Sequence, residues 1–238
     1  MSGDPALAFV VQVGLASGAG PRDREAVARG LAEAGQALEG IVSSHAGVHL
    51  DLSVGGLDLT WDLRARDEEA AQRVEAALGQ ADGLAELAPD LAPRVETLEV
   101  GRPRVLASGL RRPGLVGIKR TLWLRVEPSA PPEAVARFEQ ETPLLAGAVP
   151  AIRNWRWSRL PGAGSGPDAI RWTHLWEQEF EHVEGLQVDY MSSPAHWGYI
   201  DRWFDPEMPG RIVDLWLAHT ACPESAPVLS WGRSDRDG

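Results

Sequence analysis

The chain has 238 residues, 34 acidic against 23 basic, with a formal net charge of −11 at pH 7. That balance sets aside nucleic acid and anionic membrane surfaces as partners. With 44% hydrophobic and 24% charged residues the composition is that of a folded globular protein, long enough for one large domain or two of about 110 residues without a disulfide or metal staple.

The single cysteine, Cys222, excludes an internal disulfide and fits a cytoplasmic setting. Met1-Ser2-Gly3-Asp4-Pro5 has neither the basic nor the apolar region of a signal peptide. No apolar run approaches the roughly 20 residues that span a bilayer. Lys119 is the only lysine, an arginine bias that reads as genomic.

Phe9 to Leu15 is β-rich and ends in a Gly/Ser/Pro cluster. From Arg24 to Leu38, Val27, Leu31, Ala34 and Leu38 form a helical stripe. Val48 to Val54 and Leu57 to Leu63 alternate apolar and polar residues around Gly55-Gly56, predicting a two-residue hairpin. Asp67 caps a second helix reaching Leu78, and the stretch from Arg94 to Leu106 supplies closing strands. The order β-α-β-β-α-β is ferredoxin-like.

The same order repeats. Lys119 to Val126 is a strand, a helix starts at Pro131 or Pro132, and Ala151 to Leu160 and Ile170 to Phe180 are strands around the loop Pro161 to Pro167. Val183 to Met191 and Ala195 to Phe204 are helical, and Arg211 to Ala218 is the last strand. Glu25-Ala26-Val27-Ala28-Arg29 recurs as Glu133-Ala134-Val135-Ala136-Arg137 at the start of each unit's first helix. The fold class read from this is α+β: two fused ferredoxin-like units, residues 1–112 and 113–222, their sheets face to face as an α/β barrel dimer within one chain, followed by an irregular surface tail, 223–238.

Of ten tryptophans only Trp61 precedes residue 119, and both tyrosines follow it, which places a pocket in the second unit. Strand alternation puts Arg120, Leu122 and Leu124 on one face of the first strand. It gives Arg153, Trp155 and Trp157 on the second, Trp172, His174 and Trp176 on the third, and Ile212 and Asp214 on the last. Together they form an aromatic cup with Arg120, Arg153, His174 and Asp214 as polar points, covered by Tyr190, His196 and Trp197. Glu177, Glu179 and Glu181 read as a solvated strand face. His45 and His49 lie outside metal-ligand spacing, and His219 with Cys222 makes no closed zinc site.

Trp172-Thr173-His174, then Tyr190 with Pro194-Ala195-His196-Trp197-Gly198, then Val213-Asp214 resemble the stress-responsive dimeric α/β barrel (Dabb) proteins, over roughly residues 117–220. The similarity is strongest to the olivetolic acid cyclase-type polyketide cyclases. The resemblance implies Tyr190 and His196 as the catalytic pair, with His174 and Asp214 as pocket histidine and aspartate. Arg120 stands where the family has a histidine. In the first unit Ala76 and Asp82 fall near the Tyr and His positions, so that half is a pseudo-partner without the site.

What the resemblance implies is a small-molecule cyclase of secondary metabolism acting on a polyketide-like, aromatic or acidic substrate. It would join carbons by aldol or Claisen chemistry, without metal or organic cofactor. His196 would act as base, Tyr190 as donor to a developing oxyanion and Asp214 as orienter, while Arg120 or Arg153 would hold an acidic group. Two alternatives stand beside it: a cofactor-free oxygenase acting on a polyphenol, and a non-catalytic ligand-binding or stress-response barrel. From the residues alone, Tyr190 and His196 suit helix caps, and Asp214 suits a structural ion pair with Arg120. A homodimer of the fused pair is a further expectation.

Overall fold

The computed structural model describes residues 7–79, 83–163 and 171–230. Asp82, part of the loop after Ala163, and the tail beyond Ser230 lie outside them.

The first unit runs β1 (Ala8–Leu15), α1 (Pro21–Ala37), β2 (Ile41–Val48), β3 (Leu59–Ala65), α2 (Glu68–Leu78), α3 (Gly83–Leu87) and β4 (Val95–Gly101). After β5 (Arg104–Leu110) the second runs β6 (Ile118–Val126), α4 (Pro132–Glu141), α5 (Leu144–Ala148), β7 (Asn154–Ala163), β8 (Trp172–Phe180), a helical segment over 185–204, and β9 (Val213–Pro223). The sheets are antiparallel, with strand orders β2-β3-β1-β4 and β5-β7-β8-β6-β9. Each contains the ferredoxin-like order, and the fold class is the α+β pair of fused units read from the sequence.

Alternation within the strands separates two environments in each sheet. Phe9, Val11, Val13, Leu59, Trp61 and Leu63 pack under α1 and α2 as one core. Leu122, Leu124, Trp157, Trp176 and Phe180 pack under α4, α5 and the 185–204 segment as another. The opposite faces meet each other, with Val10 of β1 packed among Trp123, Leu175 and Ala218. The sheets come so close that a Cβ on Gly101 would lie 2.7 Å from the Trp123 ring.

Four expectations are corrected. The strand predicted over Val48 to Val54 ends at Val48, which pairs with Leu59. Leu50 N–H instead donates to Ala221 O and Val54 exchanges two backbone hydrogen bonds with His219, so the alternating run crosses to the other unit as a β9 partner. Gly55 follows at φ 71°, where a Cβ would sit 2.1 Å from Leu217 O. β5, assigned by sequence to the unit ending at residue 112, pairs with β7 of the second sheet. β9 continues to Pro223 instead of stopping at Ala218. Glu224 to Ser230 does not lie loose on the surface: Ser225 Oγ bonds His45 Nδ1, Leu229 N–H donates to Glu179, and Gly114 N–H donates to Ser230 Oγ.

Glu177 and Glu179 are not solvated either. They are fully buried between the sheets, because their alternation phase with Leu175 turns them toward the first unit. Lys119 Nζ lies between Asp62 and Glu177, the latter at 3.0 Å. Arg156 forks onto Glu177 at 2.5 and 2.7 Å, and Asn154 Nδ2 donates to Glu179 at 2.6 Å. A buried carboxylate needs partners: Glu177 has two cations, and Glu179 accepts from Asn154 and from Leu229 N–H. His45 is buried on the same side, and His49 bridges Leu57 O and Thr60 Oγ1.

Candidate functional site

The rows of the second sheet are fixed by register. Trp155, Gln178, Arg120 and Ala221 form one row, Trp157, Trp176, Leu122 and His219 the next, and Arg159, His174, Leu124 and Leu217 the third. All face the helices. Over them lies Gly185–Tyr190, a π-helical turn, then Ser192-Ser193-Pro194, then a second π-helical turn at Trp197–Asp201. Ser193 Oγ accepts from Ala195 N–H and Pro194 occupies the first helical position, so the chain restarts at His196. Wide turns of this kind often lie at functional sites. Here they set Tyr190 at the end of one and His196 at the mouth of the other.

The Tyr190 and His196 rings meet edge to face at 4.9 Å, and the Arg120 guanidinium carbon lies 5.0 Å from the Tyr190 ring centroid. Arg120 is 2% exposed. It donates to His219 Nε2 through Nε at 2.7 Å and to Gln178 Oε1 through Nη1 at 2.5 Å. Trp176 and Gln178 stand beside the Tyr190 phenol, yet Trp176 Nε1 and Gln178 Nε2 meet no acceptor in hydrogen-bonding geometry among the described residues. His196 Nδ1 lies 3.5 Å from Asp201 Oδ1, in ion-pair range but longer than a hydrogen bond.

Burial pushes the Tyr190 hydroxyl above its ordinary value, against the opposing Arg120 charge, so it remains protonated at neutral pH. Burial lowers His196, opposed by Asp201 and reinforced by Arg120. The Arg120 charge and burial push His219 down to about 2. It is thus neutral, with its proton on Nδ1 and Nε2 free to accept. The site therefore holds a neutral base, a protonated phenol and one fixed cation.

His174 faces the same side but belongs to another group. Its Nε2 lies 3.0 Å from Glu139 Oε1, its Nδ1 2.9 Å from Thr173 Oγ1, and its ring stacks on Trp157 at 5.1 Å. Arg159 forks onto the same Glu139. The Trp176–Leu122 row separates this group from Arg120. Trp157, Leu122 and Ile212 pack in the same buried core. Trp155 leans toward Trp176 at 5.5 Å.

Four expected members lie elsewhere. Asp214, at the start of β9, pairs with Arg125 at 3.5 Å, because the β6–β9 register breaks between Leu124 and Val126 and leaves this end apart from Arg120. Arg153 precedes β7 and pairs with Glu181 at 3.0 Å on the rim. Trp172, at the end of β8 beside the register break in β7, packs edge-on against Trp123 and donates to Glu99. Trp197 is 66% exposed. Conversely, sequence reading missed His219, Gln178 and Asp201. In the phase of Ile212 and Asp214 an extended last strand would have turned His219 away; the register break between Leu124 and Val126 sets it in phase with Leu217, and Gln178 lies directly opposite Arg120.

Cys222 and His219 are on opposite faces of β9, and burial pushes the thiol up to about 12. No group of three or more His, Cys, Asp or Glu among the described residues is placed to hold a metal ion. No described helix is long and apolar enough to cross a membrane. Ala76 occupies an exposed position on α2, so no tyrosine ring stands there in the first unit.

Residues 118–214 match the family of the Stress responsive A/B Barrel Domain, Dabb. No curated protein sequence matches the chain. Among solved structures, an anthrone oxidase-like protein aligns over 94% of this chain and 93% of its own, with 13% identity and a TM-score of 0.64. A candidate monooxygenase of Fusobacterium nucleatum aligns over 94% of each chain, with 7% identity and a TM-score of 0.62. A second, from Lactobacillus acidophilus, covers 95% of this chain and 100% of its own, with 14% identity and a TM-score of 0.50. At such identities the likeness is one of fold.

Proposed function

We propose, from the match of residues 118–214 to the Dabb model, that the cup beneath 185–204 is the active site of a small-molecule enzyme, with His196 as base and Tyr190 as acid. The observation that carries this reading is the edge-to-face contact of the two rings at 4.9 Å beside the buried Arg120. The reaction is an intramolecular carbon–carbon closure of a polyketide-like substrate. Neutral His196 takes a proton from a carbon between two carbonyls, and the resulting enolate carbon attacks a third carbonyl of the same molecule. The new alkoxide takes its proton from the Tyr190 hydroxyl. Returning the proton from His196 to the phenolate closes the cycle, and loss of water follows where the ring can conjugate. Asp201, rather than Asp214, stabilises the imidazolium.

An oxygenase reading has its own support, since the similar structures include an anthrone oxidase-like protein and candidate monooxygenases. A cytoplasmic setting suits the single buried thiol. The partner is a small molecule, and a second copy of the fused pair is a further candidate, tested by mass in solution. The deciding experiment incubates wild type, Tyr190→Phe and His196→Ala with polyketide intermediates and follows product mass and oxygen uptake. Ring closure without oxygen uptake, lost in His196→Ala, is expected for a cyclase. Oxygen uptake turns the assignment to an oxygenase, and equal conversion by all three proteins removes the catalytic pair.

A further inference from the structure

Arg120 lacks what the other deeply buried cations of this sheet have. Lys119 has Asp62 and Glu177, and Arg156 has Glu177. Arg120 forms no ion pair with a carboxylate among the described residues, and its partners are a neutral imidazole, an amide oxygen and an aromatic face. An arginine does not escape by deprotonating, so the cup carries a full positive charge. Histidines 174, 196 and 219 are all held below their ordinary value and add none at neutral pH. Glu139 is matched by Arg159. Asp201 stands beyond Tyr190, 31% exposed, turned to His196.

The neutral groups carry the same imbalance. Trp176 Nε1–H and the Gln178 Nε2 amide are buried donors whose neighbouring acceptor is the Tyr190 hydroxyl under Arg120, and neither meets it in hydrogen-bonding geometry. Leaving such donors unpaired is unfavourable, and a cation without a counter-ion more so. Both deficits are answered by one chemical feature, an anionic oxygen.

We propose that the ligand of this cup binds as an anion, its carboxylate or ionised enol oxygen docked against Arg120, Gln178 Nε2 and Trp176 Nε1. This rests on the reading of the cup as the ligand site, and it deepens that reading by fixing the charge and the end of the cup that holds it. His196 and Tyr190 then face the uncharged part of the molecule, where the proton is removed.

The test is a binding titration on the full chain, independent of turnover, with a matched pair of aromatic probes: 2-naphthoate and 2-naphthamide at pH 7.5. Wild type binds the carboxylate at least about 30-fold more tightly than the amide. Arg120→Met removes the preference. Gln178→Glu places a carboxylate beside Arg120 and removes it by supplying the missing counter-ion, which keeps the proposal testable should Arg120→Met fail to fold. His196→Gln keeps the preference while losing turnover, so failure of the catalytic assignment and failure of the anion assignment are told apart. Equal affinity of wild type for the two probes, binding of neither, or a preference that survives in Gln178→Glu overturns the proposal.

Discussion

Lys119 and Arg120 are neighbours in sequence on opposite faces of β6. Both are deeply buried, 0% and 2% exposed, and they live under different electrostatic rules. On the face toward the first unit, burial would strip the proton from Lys119, but Asp62 and Glu177 overcome it and the ammonium is held more firmly than in water. Arg156 is raised in the same way, and Glu177 is held low by Arg156 and Lys119. On the helix face burial lowers Arg120, and only the Tyr190 phenol opposes it. Compensated charge joins the two units. Uncompensated charge waits for a ligand.

The largest expected effect comes from breaking compensation. Glu177→Gln leaves Lys119 and Arg156 short of a carboxylate, and should cost about 3–5 kcal/mol in urea unfolding, the usual penalty for an orphaned buried partner. A change below about 1 kcal/mol would mean that water already screens the network.

On the other face the effect should fall on rate instead. His196→Ala should lower kcat/KM by about 100- to 10,000-fold with an unchanged melting curve. Because His196 is held below 6.5 and acts neutral, wild-type kcat/KM should stay level as pH falls through 6.5 and decline only beyond it. A decline beginning above 6.5 would contradict the depressed value.

A further effect separates the faces by pH. Burial and the neighbouring Glu179 push Glu224 up to about 9. The unfolded chain releases this proton near 4.5 while the folded chain keeps it, so stability falls as pH rises from about 4.5 to 9. Glu224→Gln should flatten that slope in melts at pH 6, 7.5 and 9. The cup histidines and His49, at about 4, act in the opposite sense, taking stability away as pH falls below 6.5. An unchanged alkaline slope in Glu224→Gln would place the titrating group elsewhere.

The architecture was legible because two β-α-β-β-α-β patterns with period-2 strands leave few alternatives. Arg120, Leu122, Trp157 and Trp176 share the helix-facing side for the same reason. What failed depends on pairing across the units. Alternation at Val48 to Val54 reads as a hairpin strand, and nothing local says its partner is β9. The β6–β9 register break after Asp214 reverses the phase of the last strand, so a face read from Ile212 and Asp214 loses His219. Glu177 and Glu179 look like a wet face because their partners, the cations Lys119 and Arg156 and the amide of Asn154, come from two other strands. Asp201 meets His196 only because a π-helical turn sets residues five apart side by side.

The most direct test sets Lys119→Met beside Arg120→Met, measuring urea unfolding and 2-naphthoate affinity for each. The structure predicts that Lys119→Met loses about 3–5 kcal/mol of stability and still binds the anion where it is folded. Arg120→Met should stay within about 1 kcal/mol of wild type and lose the anion. Equal destabilisation by the two, or anion binding that survives in Arg120→Met, would contradict the division of the sheet into a structural face and a functional one.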